Sequence, residues 1–287
     1  MTSGAKLRAL LERNGTWFIP ACFDALSALL VRRAGFPFAF ISGYGIAASR
    51  LGLPDVGLAT GSEMTDTVRT ICGAVADLPL IADGDQGYGT SMNVRRTTLD
   101  YARAGAAAIM LEDQISPKRC GHFAQKQVIS REEARLKIRS AIDARREFGL
   151  DMLIMARTDA LATHGFEEAL ARVLEFEEEG ADILFIEAME TEEQMRTFCR
   201  AVKKVTFANN FVGGRTPYLP RKVLIDIGFK VVTDPTLLFT ATHAMQSHLK
   251  ALAAEGGETM PASTPFREMS EILNLPDYTR ISERYKS

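Results

Sequence analysis

Charged and amide side chains recur directly after short apolar runs along this 287-residue chain. They are Asp24, Ser42-Gly43, Asp83-Gly84-Asp85, Glu112-Asp113, Arg157-Thr158-Asp159, Glu187, Asn209 and Asp234. Such residues often cap helices or begin loops, and Asp24 suits that structural role. The acidity after the third, fourth and sixth runs is poorly explained in this way. We therefore treat these positions as candidates for chemistry.

Asp83, Asp85 and Glu112 supply three hard oxygen ligands from neighbouring segments. Mg²⁺ prefers such ligands and completes an octahedral shell with water and substrate oxygens. Mn²⁺ is a possible substitute. The four histidines, at positions 122, 164, 243 and 248, are too scattered to indicate zinc. The sequence therefore predicts a magnesium site.

Arg157 belongs to the same set of polar positions. Its guanidinium group offers a fork that matches a substrate carboxylate. A structural ion pair with Glu112 or Glu187 is the alternative, and both roles can hold at once. The Ser42-Gly43 turn can present backbone N–H groups to a carboxylate or enolate oxygen. A small carboxylate is the expected substrate.

Residues 114–123, which read QISPKRCGHF, form a long polar segment that contains a glycine. Such a segment is typical of a mobile loop over an active site. Cys120 follows Arg119 and lies close in sequence to Lys118 and His122. Positive neighbours stabilise a thiolate and suit the thiol to proton transfer. The other three cysteines are interpreted as inert core residues.

A repeating unit of helix, glycine and apolar run would position these residues. Gly35, Gly105, Gly180 and Gly228 each end a helix-like run. The candidate strands that follow the repeat are 16–20, 38–41, 79–83, 107–112, 152–157, 182–187, 204–209 and 230–233. Eight such units predict a (β/α)₈ TIM barrel, whose strand ends converge on one site. An open doubly wound sheet is less favoured, because no Gly-x-Gly-x-x-Gly turn follows the first strand.

Helix starts support this assignment. Ser130 with Glu133, and Thr191 with Gln194, have the spacing of a capping box. We assign residues 1–257 to the barrel. Residues 258–287 form a C-terminal helical extension of the same domain, helical around Phe266–Leu273.

Composition narrows the class of protein. The chain has 34 Lys and Arg against 36 Asp and Glu, a net charge of −2. This balance disfavours nucleic-acid and membrane-surface binding. No apolar run approaches the roughly 20 residues of a membrane span, and the N-terminus lacks the apolar core of a signal peptide. With dispersed cysteines and no CxxC pair, a cytoplasmic protein is expected.

Five segments resemble the isocitrate lyase/phosphoenolpyruvate mutase superfamily, in the order found in that family. They read FISGYGIAASRLGLPDVG, ADGDQGYG, LEDQISPKRCGH, ARTDAL and FIEAME, and they span essentially the whole chain. The KRCGH portion resembles the branch that includes 2-methylisocitrate lyase and 2,3-dimethylmalate lyase. It is also similar to carboxyphosphonoenolpyruvate mutase.

The resemblance implies Mg²⁺ bound at Asp85, with Asp83 and Glu112 acting largely through water. The residues it implies near a bound 2-oxo acid are Ser42, Gly43, Arg157 and Asp55. It implies that Cys120 donates a proton to the departing carbanion. The other residues of the same closing loop are Lys118, Gly121 and His122. A last helix swapped between paired subunits, usually in a homotetramer, is also implied.

Four positions depart from this resemblance. Gly84 stands where these lyases commonly have alanine, and Val212 replaces the glutamate that follows Asn209 by three residues. Tyr44 replaces a glycine of 2-methylisocitrate lyase, and Thr233-Asp234-Pro235 replaces Tyr-Pro. Tyr44 and Asn209 are candidate substrate contacts. Because these changes touch the substrate end of the site, methylisocitrate is a poor candidate substrate.

The expected reaction is retro-aldol cleavage of a 2-hydroxy di- or tricarboxylate, such as a 2-substituted malate. The products are pyruvate or glyoxylate and a second acid. Glu187 is the candidate base and Cys120 the candidate acid. Oxaloacetate decarboxylation or hydrolysis is the second interpretation, and phosphonate mutase chemistry is the third. A catalytically silent metabolite-binding barrel is disfavoured, because a decayed site would have lost some of these side chains.

Overall fold

The structure, a computed structural model, describes residues 1–118, 126–254 and 263–286. Eight parallel strands close into a barrel in chain order, and the last strand pairs with the first. The strands are β1 (Trp17–Cys22), β2 (Ala39–Ile41), β3 (Leu80–Asp83), β4 (Ala108–Glu112), β5 (Leu153–Thr158), β6 (Ile183–Ile186), β7 (Val205–Asn209) and β8 (Val231–Asp234). The predicted (β/α)₈ barrel is confirmed.

Helices connect and surround the strands. They are α1 (Ser3–Leu11), α2 (Ala25–Arg33), α3 (Gly43–Ile46), α4 (Gly61–Ala74), α5 (Ser91–Ala104), α6 (Arg131–Glu147), α7 (Leu161–His164), α8 (Phe166–Glu179), α9 (Glu192–Ala201), α10 (Arg221–Ile227), α11 (Leu237–Ala253), α12 (Phe266–Ile272) and α13 (Leu275–Glu283). A π-helical turn, Ala47–Leu51, continues α3. Every predicted strand is present; each begins one residue later than predicted, and the ends agree within two residues.

The barrel interior is closed by an aromatic layer below the strand ends. Phe207 lies between Phe40 and Phe185, with ring-centroid distances of 5.7 and 5.2 Å. All three rings are buried, and burying such a side chain stabilises the fold by about 1.5–3 kcal/mol. Outside the barrel, a separate core of buried apolar side chains fills the space between the strands and the surrounding helices. The aromatic layer gives the strand-end side chains a fixed, dry floor.

Side-chain caps fix several helix starts. Thr191 with Gln194 forms the predicted capping box. Ser130 makes one half of its predicted box, in which its Oγ accepts the backbone N–H of Glu133 at 3.1 Å, but the reciprocal bond from the Ser130 N–H to the Glu133 side chain is not formed. Asp24 caps α2, so its structural interpretation is right. The predicted glycines that end α5, α8 and α10 have left-handed φ values: Gly105 (99°), Gly180 (103°) and Gly228 (104°).

The C-terminal helices contribute little to the barrel core. Within the described part of the chain, no side chain of α11 is buried. Phe239, Met245, Leu249 and Leu252 on this helix are 47–63% exposed. The helix predicted around Phe266–Leu273 is α12, whereas α13 was not predicted. The boundary at residue 257 lies outside the described residues and stays a prediction.

Three cysteines, Cys22, Cys72 and Cys199, are free thiols. Burial raises the pKa of each to about 12, which keeps them protonated and supports their interpretation as inert residues. Among the helices that the structure describes, none is long and apolar enough to cross a membrane.

Candidate active site

The strand ends surround one cavity of about 220 Å³ at the carboxyl end of the barrel. The predicted site residues that line it are Ser42, Tyr44, Asp55, Asp83, Glu112, Lys118, Arg157, Glu187 and Asn209. Gly43 and Asp85 lie directly behind this lining, where each contacts a residue that faces the cavity. The remaining predicted positions, Cys120, Gly121 and His122, lie outside the residues that the structure describes.

Arg157 lies in the centre of a group of carboxylates. The parallel register of β4 and β5 places it opposite Glu112, whose Oε2 is 3.4 Å from Arg157 Nε. Arg157 Nε also donates to Asp159 Oδ2 at 2.9 Å, and Nη1 is 3.2 Å from Glu187 Oε2. The ion pairs considered as a structural alternative are therefore present. Since the side chain also faces the cavity, a substrate carboxylate would share Arg157 with these acids.

A second group of acids, formed by Asp55, Asp83 and Asp85, is held by backbone N–H groups and a buried lysine. Asp83 accepts the Gly43 N–H at Oδ2 (3.2 Å) and the Asp85 N–H at Oδ1 (3.0 Å). The Gly43 N–H, which was expected to face a substrate oxygen, therefore donates to Asp83 instead. This close approach needs a glycine, since a Cβ at position 43 would come within 2.6 Å of the Asp83 carboxylate. Lys118 Nζ lies 2.5 Å from Asp55 Oδ1 and 2.6 Å from Asp85 Oδ1.

Burial makes several of these acids hard to ionise. Burial raises the pKa of Asp83 to about 6, and the Asp85 charge adds to the rise. Burial also raises the pKa of Glu112 well above its ordinary value, although Arg157 opposes the rise. The pKa of Asp55 is raised by burial and lowered by Lys118. Additional positive charge in the cavity would stabilise the ionised form of all three acids.

The part of the cavity near Asp83, Asp85 and Glu112, its acidic end, fits a hydrated divalent cation. Among the described residues, Glu112 Oε1 is a buried oxygen with no hydrogen-bond partner. No three His, Cys, Asp or Glu side chains of the described ranges form a ready-made metal cage. The reason is that Asp83 faces backbone N–H groups and Asp85 faces Lys118. Mg²⁺ commonly keeps several waters and binds through one or two carboxylates, so a closed cage is not required.

Glu187 follows β6 and faces the cavity beside Arg157. Its Oε1 accepts the Ala188 N–H at 2.8 Å, and its Oε2 lies 3.4 Å from Asn209 Nδ2. Ala188 adopts a left-handed φ of 61°, an unusual conformation for a residue with a side chain. These contacts fix the orientation of a carboxylate that can accept a proton from a substrate.

An apolar wall closes the outer side of the cavity. Tyr44 packs on Phe239 with ring centroids 5.7 Å apart. The other wall residues are Phe211, Pro235 and Leu238. Sequence analysis names Tyr44 and Pro235 but misses Phe211, Leu238 and Phe239. These three lie beyond the ends of β7 and β8, where the path of the chain decides which side chains reach the cavity.

The other strand-end residues have structural contacts. Thr158 Oγ1 donates to Asp113 Oδ2 at 2.5 Å, and the Asp159 N–H donates to Asp113 Oδ1 at 2.8 Å. Arg172 Nη1 donates to Asp113 Oδ2 at 3.1 Å. Asp234 accepts the Thr236 N–H at 2.8 Å and so begins a loop. Asp113 therefore ties the end of β5 to α8.

Two of the sequence departures have structural correlates. A Cβ at Gly84 would lie 2.7 Å from Ile109 Cγ1 and 2.8 Å from the Met110 carbonyl oxygen. The alanine of related lyases would therefore clash in this chain. Val212 is 79% exposed and is not among the described residues that line the cavity.

Comparison with known proteins gives consistent matches. A family profile described as phosphoenolpyruvate phosphomutase matches residues 7–253. The chain is 40% identical over 288 residues to 2,3-dimethylmalate lyase of Eubacterium barkeri, covering 99% of each chain. A structure of oxaloacetate acetylhydrolase with 3,3-difluorooxalacetate superposes with a TM-score of 0.94 at 33% identity, covering 98% of this chain and 96% of that one. A structure of phosphonopyruvate hydrolase in complex with oxalate and Mg²⁺ superposes with a TM-score of 0.87 at 28% identity, covering 99% of each chain.

Proposed function

The chain belongs to the phosphoenolpyruvate mutase/isocitrate lyase superfamily, and on that premise we propose that it is a magnesium-dependent carbon–carbon lyase. Its substrate is a 2-hydroxy dicarboxylate of the 2-substituted malate type, cleaved to a 2-oxo acid and a second carboxylate. One observation carries the proposal. Buried Arg157 and the acids Asp83 and Glu112 face the same cavity, whose outer wall is apolar.

The cavity offers positive charge for two carboxylates. Arg157 binds the carboxylate next to the hydroxyl-bearing carbon, while the Lys118 ammonium lies across the cavity near Asp55. Ser42 Oγ accepts the Gly45 N–H at 3.0 Å, so its hydroxyl hydrogen can donate to a substrate oxygen. Fixing both ends of a short dicarboxylate orients the bond between them for cleavage.

Cleavage needs one base and one acid. Glu187 takes the proton of the 2-hydroxyl group, the C2–C3 bond breaks, and C2 becomes the carbonyl carbon of the 2-oxo acid. The electron pair of the broken bond remains on C3, next to the second carboxylate. The thiol of Cys120, which lies outside the described residues, protonates C3. The proton on Glu187 then returns to the thiolate through solvent.

A divalent cation, when bound, supplies concentrated positive charge to the substrate oxygens at the acidic end of the cavity. Asp83, Asp85 and Glu112 are the residues that would hold it. The unpartnered Glu112 Oε1 and the raised pKa of Asp83 support this assignment. Mg²⁺ accompanies oxalate in the related phosphonopyruvate hydrolase, and Mn²⁺ is the expected substitute.

The apolar wall favours a malate with an alkyl substituent over a tricarboxylate. Tyr44, Phe211 and Phe239 would contact the substituent. An ionised third carboxylate would lose its hydration there, and none of the described residues of this wall carries a positive charge. The 2,3-dimethylmalate lyase relative is named for a substrate of this kind.

Oxaloacetate hydrolysis or decarboxylation is the second candidate, supported by the close superposition with oxaloacetate acetylhydrolase. It uses the same charged cavity but has less need of a thiol acid. Phosphonate mutase chemistry ranks third. A silent metabolite-binding barrel is disfavoured, because the described acids, Arg157 and Lys118 converge on one cavity.

We also propose a cytoplasmic homotetramer built from helix-swapped pairs. The exposed apolar side chains of α11, between 47% and 63% exposed, are the surface that a partner copy would cover.

The experiment is a panel of 2-alkylmalates, oxaloacetate and phosphonopyruvate incubated with Mg²⁺, with 2-oxo acids detected by chromatography. We expect turnover of a 2-alkylmalate and a loss of about 10²-fold or more in Glu187→Gln, because a positioned base is removed. Asp24→Asn is the matched control, since asparagine also caps a helix, and it should retain activity. Turnover of oxaloacetate alone would favour the second candidate.

A further inference from the structure

A second buried lysine, Lys126, lies next to the candidate active site. It resumes the described chain after residue 125, and its side chain is 1% exposed. Its Nζ is 2.7 Å from Oδ1 of Asp159, whose side chain is fully buried. Burying two charges is costly unless they are paired and hydrogen-bonded, so this contact constrains both side chains strongly.

Asp159 is shared between two cations. Arg157 Nη2 donates to the same Oδ1 at 3.0 Å, while Arg157 Nε donates to Oδ2 at 2.9 Å. Burial alone would raise the pKa of Asp159, but Arg157 and Lys126 together hold the pKa below its usual value. The carboxylate therefore stays ionised and bridges the lysine to the arginine.

This bridge determines which edge of Arg157 reaches the cavity. Since Nε and Nη2 face Asp159, the remaining nitrogen, Nη1, points toward Glu187 and the substrate space. Without Lys126, the Asp159 carboxylate would keep Arg157 as the partner of both its oxygens but would lose the contact that holds Oδ1 from the other side. A rotation of the carboxylate would carry the Arg157 fork with it.

We propose that Lys126 is a positioning residue, which holds Asp159 so that Arg157 presents Nη1 to the substrate carboxylate. The proposal rests on the proposed function, in which Arg157 binds that carboxylate. Lys126 acts through Asp159 and Arg157 and does not touch the substrate itself.

Oxalate binding in the presence of Mg²⁺, measured by calorimetry, tests this role without turnover. Lys126→Met should weaken oxalate about tenfold, because Arg157 loses its fixed partner. Lys126→Arg should restore most of the affinity. Lys137→Met is the matched control: Lys137 is also buried, but its Nζ contacts the Gln86 carbonyl oxygen at 3.4 Å, and its loss should change oxalate affinity less than about twofold.

A double-mutant cycle separates positioning through Asp159 from a general effect of removing a buried charge. If Lys126 acts through Asp159, then Lys126→Met should change oxalate affinity less than about twofold in an Asp159→Asn background. The same tenfold loss in both backgrounds would overturn the proposal, as would wild-type affinity in Lys126→Met. Should Lys126→Met fail to fold, Lys126→Gln serves the same comparison, because glutamine lacks the positive charge and its side chain is one atom too short to keep the same contact with Asp159.

Failure of oxalate to bind the wild-type protein would instead contradict the proposed function. The positioning role is then decided by a crystal structure of Lys126→Met, or of Lys126→Gln. We expect the Arg157 guanidinium to leave Glu187 in that variant. An Arg157 side chain in the same place as in the wild-type protein would overturn the inference.

Discussion

Asp83 must be ionised to hold a cation, yet burial and the neighbouring Asp85 raise its pKa to about 6. Below that pH, Mg²⁺ must displace a proton from Asp83, so its affinity should rise with pH through about 6, and the raised pKa of Glu112 adds to the rise. Calorimetry between about pH 5 and 7, in two buffers with different ionisation enthalpies, measures both the affinity and the released proton. Affinity that is constant over this range would contradict a role for Asp83 at the metal.

Cys120 distinguishes the lyase from its closest rival. A positioned general acid is worth roughly 10²–10⁴ in rate, and serine raises the pKa of the donor far above the working range. Cys120→Ser should therefore lose about that factor on a 2-alkylmalate, with Mg²⁺ and oxalate binding unchanged. The measurement is single-turnover kinetics together with calorimetry. Near-normal cleavage of the 2-alkylmalate would show that Cys120 is not the acid. If the variant instead consumes oxaloacetate at the wild-type rate and the wild-type protein does not cleave 2-alkylmalates, the oxaloacetate reaction is favoured, because water can protonate the enolate of pyruvate.

Individual site residues could be predicted wherever strand topology alone places them. Glu112 and Arg157 were identified because they end adjacent strands, and the observed register sets them side by side. Phe239 and Lys126 were not, because neither ends a strand: Phe239 lies in α11, and Lys126 follows residues that the structure does not describe. Whether these side chains lie near the cavity depends on packing between segments that are distant in sequence, and a local sequence pattern does not predict such packing.

At the scale of elements, α6 and α8 are joined by Glu168. The Arg131 and Arg172 side chains hydrogen-bond this carboxylate and lower its pKa from 4.5 to about 2. An acid with a lowered folded-state pKa stabilises the fold above its unfolded pKa, and this contribution is lost as pH falls through the folded value. The contribution of Glu168 to the free energy of unfolding is therefore complete above about pH 4.5 and disappears as the pH falls toward 2.

Glu168→Gln should consequently be less stable than the wild-type protein near neutral pH, and the difference should shrink as the pH falls from about 4.5 toward 2. Urea unfolding followed by circular dichroism at several pH values measures the difference. A stability difference that does not change with pH would show that these arginines do not stabilise the ionised form.

Strands and caps were the most predictable elements. A buried parallel strand reads as a nearly continuous apolar run, and a glycine directly before it marks the preceding helix end. The helix α13 was missed because its apolar residues, such as Leu275 and Tyr278, are exposed and do not follow a core pattern. Asn274 begins it with a left-handed φ of 59°, which the sequence does not signal.

At the scale of the whole molecule, the apolar side chains of α11 predict self-association. Light scattering should show a tetramer for the wild-type protein. Leu249→Glu, at a position that is 63% exposed, should give a smaller assembly because a charge would be buried at the interface. Leu136→Glu on α6, 40% exposed, is the matched control. A monomeric wild-type protein, or no effect of Leu249→Glu, would contradict helix exchange.

The most direct test of the central claim is incubation of the protein with 2,3-dimethylmalate and Mg²⁺, followed by quantification of both products. Cleavage between C2 and C3 predicts pyruvate and propionate in equal amounts, with formation abolished by chelation and restored by Mg²⁺ or Mn²⁺. Arg157→Lys should reduce the rate strongly, because a lysine cannot present the same fork to a carboxylate. If no 2-alkylmalate yields a 2-oxo acid while oxaloacetate is consumed, the lyase assignment is wrong.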